Sequence, residues 1–164
     1  MRVVSNTSPI SNLAIIGLLE VLRRQLGEIH IPPAVCAELL RLENGNARKA
    51  IEDSVSDGWI RMVELSNQST SRALQESLDP GESEAIALAV EARAELLVMD
   101  ESAGRAAARA QGIRVTGTLG ILLRERKAGG IASIGEEMER LVREAGFYVS
   151  AHVGEQFLRE AGEV

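Results

Sequence analysis

Residues 96–100 are Leu-Leu-Val-Met-Asp, an apolar run that ends directly in a carboxylate. A run without polar alternation is typical of a strand that is buried on both faces, as in a parallel sheet. The flanking segments, about 79–94 and 102–111, have helical periodicity. This helix–strand–helix order predicts an α/β fold whose mostly parallel sheet is covered by helices on both faces.

The alternation of strands and helices continues outward along the chain. Further strands are predicted at 3–4, 29–31, 60–63 and 113–115, which gives a sheet of four to five strands. A helical hairpin is predicted from Pro9, with Ser8 as its cap, and the polar segment 66–71 is predicted to be a loop. Other helices are predicted at about 32–42, 46–57 and 120–128.

The tail after residue 130 contains two amphipathic segments, separated at Gly146, which predict extra C-terminal helices. These helices are expected to pack on the same domain or on a second subunit. Because no segment has the composition of a linker, we expect a single domain over 1–164, with a core at about 1–130 and the extra helices at 131–164.

Composition limits the function classes. One cysteine, Cys36, cannot form an intramolecular disulfide, and no apolar run approaches the ~18 residues of a membrane span, so we expect a cytoplasmic protein. The net charge of −6 argues against nonspecific coating of nucleic acid. However, residues 101–130 are locally basic. Arg105 and its basic neighbours either hold a polyanion near an acidic site or form a solvated helix face.

Four side chains are candidate ligands of a divalent cation, which prefers oxygen donors. Asn6 and Asp100 each follow a predicted strand, where ligands collect in parallel sheets, although either residue could instead cap a turn or a helix. Glu38 borders the buried stripe of its helix, where a salt bridge to an arginine is the alternative. Glu82 projects on the same side as Ile86, and the alternative is a capping box with Asp79.

Other chemistries lack their residues. No serine or cysteine stands at a recognisable nucleophile turn, which argues against a triad hydrolase. Residues 117–120, Gly-Thr-Leu-Gly, lack the lysine of a phosphate loop and are interpreted as a tight turn between a strand and a helix. With so few aromatic residues, no platform for stacking bases is predicted.

Five segments taken together resemble PIN-domain proteins, and the closest likeness is to an uncharacterised prokaryotic branch related to VapC-type toxins. They are residues 3–10 (VVSNTSPI), 31–39 (IPPAVCAEL), 79–89 (DPGESEAIALA), 96–101 (LLVMDE) and 117–120 (GTLG). The resemblance implies a three-layer α/β/α fold with clustered acids that hold Mg²⁺ or Mn²⁺ for RNA cleavage. It also implies a homodimer and, for toxin members, a small antitoxin protein.

Carried over position by position, the family's four acidic positions fall on Asn6, Glu38, Glu82 and Asp100. Ser8 matches a small hydroxyl residue that often follows the first acid, and Glu101 is an extra carboxylate of lesser standing. Asn6 departs from the pattern because an amide brings no charge to the cation. Two hypotheses follow: a metal-dependent ribonuclease that acts on single-stranded RNA as a toxin, or a catalytically weak module that binds RNA or a protein partner.

Overall fold

The computed structural model describes residues 1–164 and contains one sheet of five strands, all parallel. The strands lie in the order β3-β2-β1-β4-β5. They are β1 (Val3–Ser5), β2 (Ile29–Ile31), β3 (Ile60–Met62), β4 (Leu96–Val98) and β5 (Val115–Thr116). The predicted α/β class is confirmed, and the sheet is wholly instead of mostly parallel.

Ten helices accompany the strands. Those within the strand-containing part are α1 (Thr7–Ile15), α2 (Leu19–Leu26), α3 (Pro33–Leu40), α4 (Gly45–Ser56), α5 (Ser69–Leu74), α6 (Pro80–Glu91), α7 (Ser102–Ala110) and α8 (Thr118–Lys127). The tail forms α9 (Ile134–Ala145) and α10 (Ala151–Glu160). No helix has the length and apolar character needed to cross a membrane.

Helices cover both faces of the sheet. Every residue of β1 and of β4 is buried, and successive strand residues point to opposite faces, so neither face meets water at these two strands. The buried apolar residues of the strands belong to one core cluster that also includes Ile10 and Leu13 of α1 and Ile86 of α6. This is the three-layer α/β/α arrangement that the sequence predicted.

Several boundaries differ from the predictions. Helix α8 begins at Thr118, inside the predicted turn 117–120, and β5 covers Val115–Thr116 instead of 113–115. Two other differences concern the start of α1 and residues 69–71. The first helix begins at Thr7, earlier than predicted, and Asn6 instead of Ser8 occupies its N-cap position. The Ser8 hydroxyl donates to Glu101, far along the chain, at 2.6 Å. Residues 69–71, predicted to lie in a loop, begin the short helix α5, which packs against α6. Both differences arise from tertiary contacts, which local sequence preferences do not contain.

The tail helices pack on the rest of the chain, as one of the two alternatives predicted: α9 contacts α1 and α8, and α10 contacts α8 and α9. Since α10 buries no residue fully, a polar anchor matters to its position. That anchor is Glu163, which accepts hydrogen bonds from the Ile134 N–H at 2.7 Å, the Ser133 hydroxyl at 2.8 Å and Arg126 Nε at 3.1 Å. Burial would raise the pKa of Glu163, but these hydrogen bonds outweigh it and lower the pKa.

We expect Glu163→Ala to lower the free energy of unfolding by about 1–2 kcal/mol, because it removes a charged acceptor at the N-terminus of α9. Urea denaturation followed by circular dichroism measures this difference. Glu160→Ala is the matched control, since Glu160 is the exposed last residue of α10, close to Glu163 in the chain. Equal stability of the two variants would contradict the anchoring role of Glu163.

Candidate functional site

The carboxyl ends of β1 and β4 lie side by side, at the point where the strand order reverses. Asn6 follows β1, and its backbone N–H donates to the Val98 carbonyl at 2.9 Å. Asp100 and Glu101 follow β4 on the neighbouring strand. Ligand sites of open parallel sheets form at such reversals, because the loops there diverge to opposite sides. Two of the predicted site residues, Asn6 and Asp100, therefore lie at one edge of the sheet.

Glu101, which follows β4, contacts the residues that follow β1. Its carboxylate accepts hydrogen bonds from the Asn6 amide at 3.2 Å and from the Ser8 hydroxyl at 2.6 Å. Asn6 occupies the N-cap position of α1, yet its side chain makes no capping bond. Glu101 was predicted as a site residue of lesser standing, because nothing local in the sequence indicates its contacts with Asn6 and Ser8.

Asp100 is held by three donors. It accepts hydrogen bonds from the backbone N–H and the hydroxyl of Thr118, each at 2.7 Å, and from the Asn12 amide at 3.2 Å. Burial raises the pKa of Asp100, the hydrogen bonds from Thr118 and Asn12 oppose the rise, and the charge of Glu101 adds to it. The alternative that Asp100 caps a helix holds in part. Asp100 accepts the N–H of Thr118, the first residue of α8, but does not cap α7, the helix that follows it in sequence.

Glu38 projects from α3 toward the start of α1, where the Thr7 hydroxyl donates to its carboxylate. No lysine or arginine forms an ion pair with it. The alternative of a salt bridge to an arginine is therefore not what the structure shows. Glu38 lies against the first turn of α6, since a Cβ at Gly81 would be 2.6 Å from its Oε1.

Glu82, in that first turn of α6, is 9% exposed. Half of the predicted capping box is present, because the Asp79 carboxylate accepts the Glu82 N–H at 2.8 Å, while no reciprocal bond to the Asp79 N–H forms. Burial raises the pKa of Glu82 to about 8, with further contributions from the carboxylates of Asp79, Glu101 and Glu38. The predicted inward position of Glu82 is what the structure shows.

Small residues make room for these acids. Three glycines stand where a Cβ would come within 3 Å of a carboxylate oxygen, namely Gly81 beside Glu38, Gly104 beside Glu82 and Gly117 beside Asp100. This role was not predicted, because each of these glycines is distant along the chain from the acid beside it. Any larger side chain at these positions would displace the acids.

Four acids, Glu38, Glu82, Asp100 and Glu101, interact through their charges. The carboxylates of Glu38 and Glu101 raise the pKa of Glu82, and that of Glu101 raises the pKa of Asp100. None of the four forms an ion pair with lysine or arginine. Hard oxygen donors with unbalanced charge fit a divalent cation. In their present positions, however, no three aspartate, glutamate, histidine or cysteine side chains converge as metal ligands, so joint binding requires the glutamates to change rotamer.

Asp100 lines two clefts, and Phe147 and Tyr148 of the segment between α9 and α10 line both of them. The first, which we call the aromatic cleft, has a volume of about 390 Å³ and is lined by Asp100, Arg105, Tyr148 and Phe157 among others. The second, of about 470 Å³, extends past Asp100 to Ser8 and Glu101. The tail therefore brings three of the four aromatic rings of the chain to this edge, which composition alone did not indicate.

Of the basic residues in 101–130, Arg105 is the one that lines a cleft at the acidic edge. Arg126 pairs with Glu163 at 3.1 Å. Arg124 and Lys127 lie in the last turn of α8, roughly 9–14 Å along the helix from Thr118 at 1.5 Å per residue. The locally basic composition is therefore not one surface beside the acids, and the solvated-face interpretation holds for most of it.

The chain is an α/β protein with a parallel sheet, and acidic side chains lie where its strand order reverses, between β1 and β4. Such an arrangement is typical of proteins that bind a ligand or a metal ion at that place. Comparison with protein families matches residues 2–163 to a family described as the PIN domain, so the chain belongs to the PIN-domain family. PIN domains have a nuclease-type fold and are generally dependent on divalent metal ions. No curated protein and no solved structure matched the chain.

Proposed function

We propose that this protein is a Mg²⁺- or Mn²⁺-dependent endoribonuclease that cleaves single-stranded RNA. The observation that carries the proposal is the group of four acids, Glu38, Glu82, Asp100 and Glu101, none of which forms an ion pair with lysine or arginine. Burial and the neighbouring carboxylates raise the pKa of Glu82 in this group to about 8. Such a group is costly to the fold without a cation, and a cation recovers that cost. The PIN-domain family supplies the reaction class.

Glu38, Glu82, Asp100 and Glu101 would hold the cation, and Asn6 would add a neutral oxygen. The bound cation would supply charge stabilisation at the phosphate and activation of water. Glu101 contributes the charge that Asn6 lacks, and the Asn6 amide orients the Glu101 carboxylate by donating to it at 3.2 Å. Ser8 fixes the other oxygen of the same carboxylate. Arg105 provides a positive charge for the RNA backbone beside Asp100.

We propose further that the protein is the toxin component of a toxin–antitoxin pair on the VapC-like branch. In this proposal a single domain over 1–164 works as a cytoplasmic homodimer and binds a small antitoxin protein. The support is the resemblance of the ordered sequence segments, together with membership of the PIN-domain family. An adjacent reading frame for a small DNA-binding protein, and its copurification with this chain, would test the partner.

A second candidate function is a catalytically weak module that binds RNA or a protein partner without cutting. Two observations favour it: an amide stands where the family has its first aspartate, and the acids do not converge as placed. RNA binding without cleavage in Mn²⁺ would support this candidate over the first.

The test of the proposed function is cleavage of end-labelled single-stranded RNA. We expect weak cleavage that requires Mn²⁺ or Mg²⁺, stops in EDTA, and falls at least about tenfold in Asp100→Asn and in Glu38→Gln, because each change removes one ligand charge. Asp57→Asn is the control, since Asp57 is exposed and lies before the amino end of β3, whereas the candidate site lies at the carboxyl ends of the strands. Cleavage that persists in EDTA would refute the metal-dependent nuclease. Cleavage by both variants at the rate of native protein would refute it as well.

A further inference from the structure

Three of the four aromatic residues of the chain meet beside the acidic edge. Helix α9 ends at Ala145, and Gly146, with a φ of 66°, is its left-handed C-cap. Phe147 and Tyr148 follow in the connecting segment, and Phe157 projects from α10 into the same cleft. The tail thus carries aromatic rings to the one part of the sheet where the candidate catalytic acids lie.

Tyr148 stands out by its exposure. It is 84% exposed, whereas Phe147 and Phe157 are half-buried against the core. Tyr148 also lines both clefts that flank Asp100, and Arg105 lines the aromatic cleft with it. A ring left in water contributes little to the fold, while a ring beside a cation has the elements that bind a base and its phosphate.

We propose that the aromatic cleft binds one nucleobase of single-stranded RNA, stacked on Tyr148, with Arg105 contacting an adjacent phosphate. This inference rests on the proposed function, since it takes RNA as the substrate, and it names the side chains that hold the strand. The cleft volume of about 390 Å³ lies in the range of roughly 300–1,000 Å³ typical of small-molecule sites. Because Asp100 lines both clefts, the RNA backbone next to the bound base would lie beside the acids.

Stacking is tolerant of sequence, because every base has a π face. The proposal therefore assigns the cleft to positioning an unpaired strand, without selection among bases. A duplex presents no free base face and would not enter. Tyr148 is accordingly a positioning residue, distinct from the acids that face the cation.

The experiment measures RNA binding in EDTA at low ionic strength, where metal-dependent cleavage cannot occur. Fluorescence anisotropy compares a labelled single-stranded oligoribonucleotide with a ribose-phosphate oligomer of equal length that carries no bases. We expect Tyr148→Ala to weaken RNA binding by about 5- to 150-fold, the equivalent of ~1–3 kcal/mol for one stacked base. Tyr148→Phe keeps the ring and should retain native affinity, and the base-free oligomer should bind weakly to native protein and Tyr148→Ala alike.

Met62→Ala is the matched control, since Met62 is an exposed apolar residue, 46% exposed, on the far edge strand β3. Equal RNA affinity of native protein and Tyr148→Ala would overturn the inference. So would a base-free oligomer that binds as tightly as RNA, or native protein that binds neither. If RNA is cleaved in Mn²⁺ but Tyr148→Ala binds RNA as native protein does, this inference alone is refuted. If binding depends on Tyr148 but no cleavage occurs in Mn²⁺, the nuclease proposal alone is refuted.

Discussion

Asn6→Asp is expected to raise the affinity for Mn²⁺ at least about tenfold and to increase turnover, since one added ligand charge need contribute only ~1.4 kcal/mol to do so. Without metal, the same change is expected to lower the melting temperature by several degrees. The Asn6 amide now donates to Glu101 at 3.2 Å, and Asn6 is buried. An aspartate there would replace that hydrogen bond with repulsion between a buried carboxylate and the half-buried carboxylate of Glu101.

Calorimetric titration and melting curves with and without Mn²⁺ measure both effects. Asn12→Asp is a charge-matched control, because the Asn12 amide likewise donates to a carboxylate, that of Asp100, at 3.2 Å. We expect this control to be destabilised and not rescued, since Asn12 lies outside the proposed ligand set. A drop in the melting temperature of Asn6→Asp that Mn²⁺ does not reverse would refute the metal centre and favour the non-catalytic module.

Glu82→Gln is expected to stabilise the metal-free protein above neutral pH. The folded-state pKa of Glu82 is raised by burial to about 8 from an ordinary value of 4.5. Between these values the folded protein holds a proton that the unfolded chain has lost. The stability that Glu82 contributes is therefore fully present below pH 4.5 and is lost as pH rises to about 8. The variant lacks this loss and should gain roughly 2–4 kcal/mol at alkaline pH, allowing for partial access of water.

Urea denaturation of native protein and variant across that pH window measures the gain. We also expect Mn²⁺ to stabilise native protein most at alkaline pH, where Glu82 is ionised, and to stabilise Glu82→Gln far less. Glu76→Gln, at an exposed glutamate between α5 and α6, is the control and should keep the native pH slope. An unchanged slope in Glu82→Gln would show that Glu82 does not carry the strained charge.

Much of the fold follows from short-range pattern. The unbroken apolar run at 96–99 predicted a strand buried on both faces, and residues of β1 and β4 are indeed buried throughout. The angle of Glu38 on its helix predicted a position beside the core, and the side of Glu82 predicted an inward one. These predictions succeed because the periods of helix and strand alone fix which side chains face inward.

The partners of those side chains could not be predicted in this way. Thr7 was not anticipated as the donor to Glu38, nor Thr118 as the donor to Asp100, nor Glu101 as the acceptor of Asn6 and Ser8. Each contact joins segments that are distant along the chain, from 18 residues apart for Asp100 and Thr118 to 95 for Asn6 and Glu101. The same holds for Tyr148, which reaches the acidic edge only because α9 packs on α1 and α8.

The sequence by itself determined the α/β class, the places where strands end, and the acids that stand at those ends or face inward from helices. These are local properties, set by the spacing of apolar residues and by the chemistry of single side chains. Tertiary structure alone decided that Glu101 joins the acidic group and that aromatic rings line its edge. The strand order β3-β2-β1-β4-β5 makes β1 and β4 neighbours, and proximity between distant segments is a property of packing that no local pattern encodes.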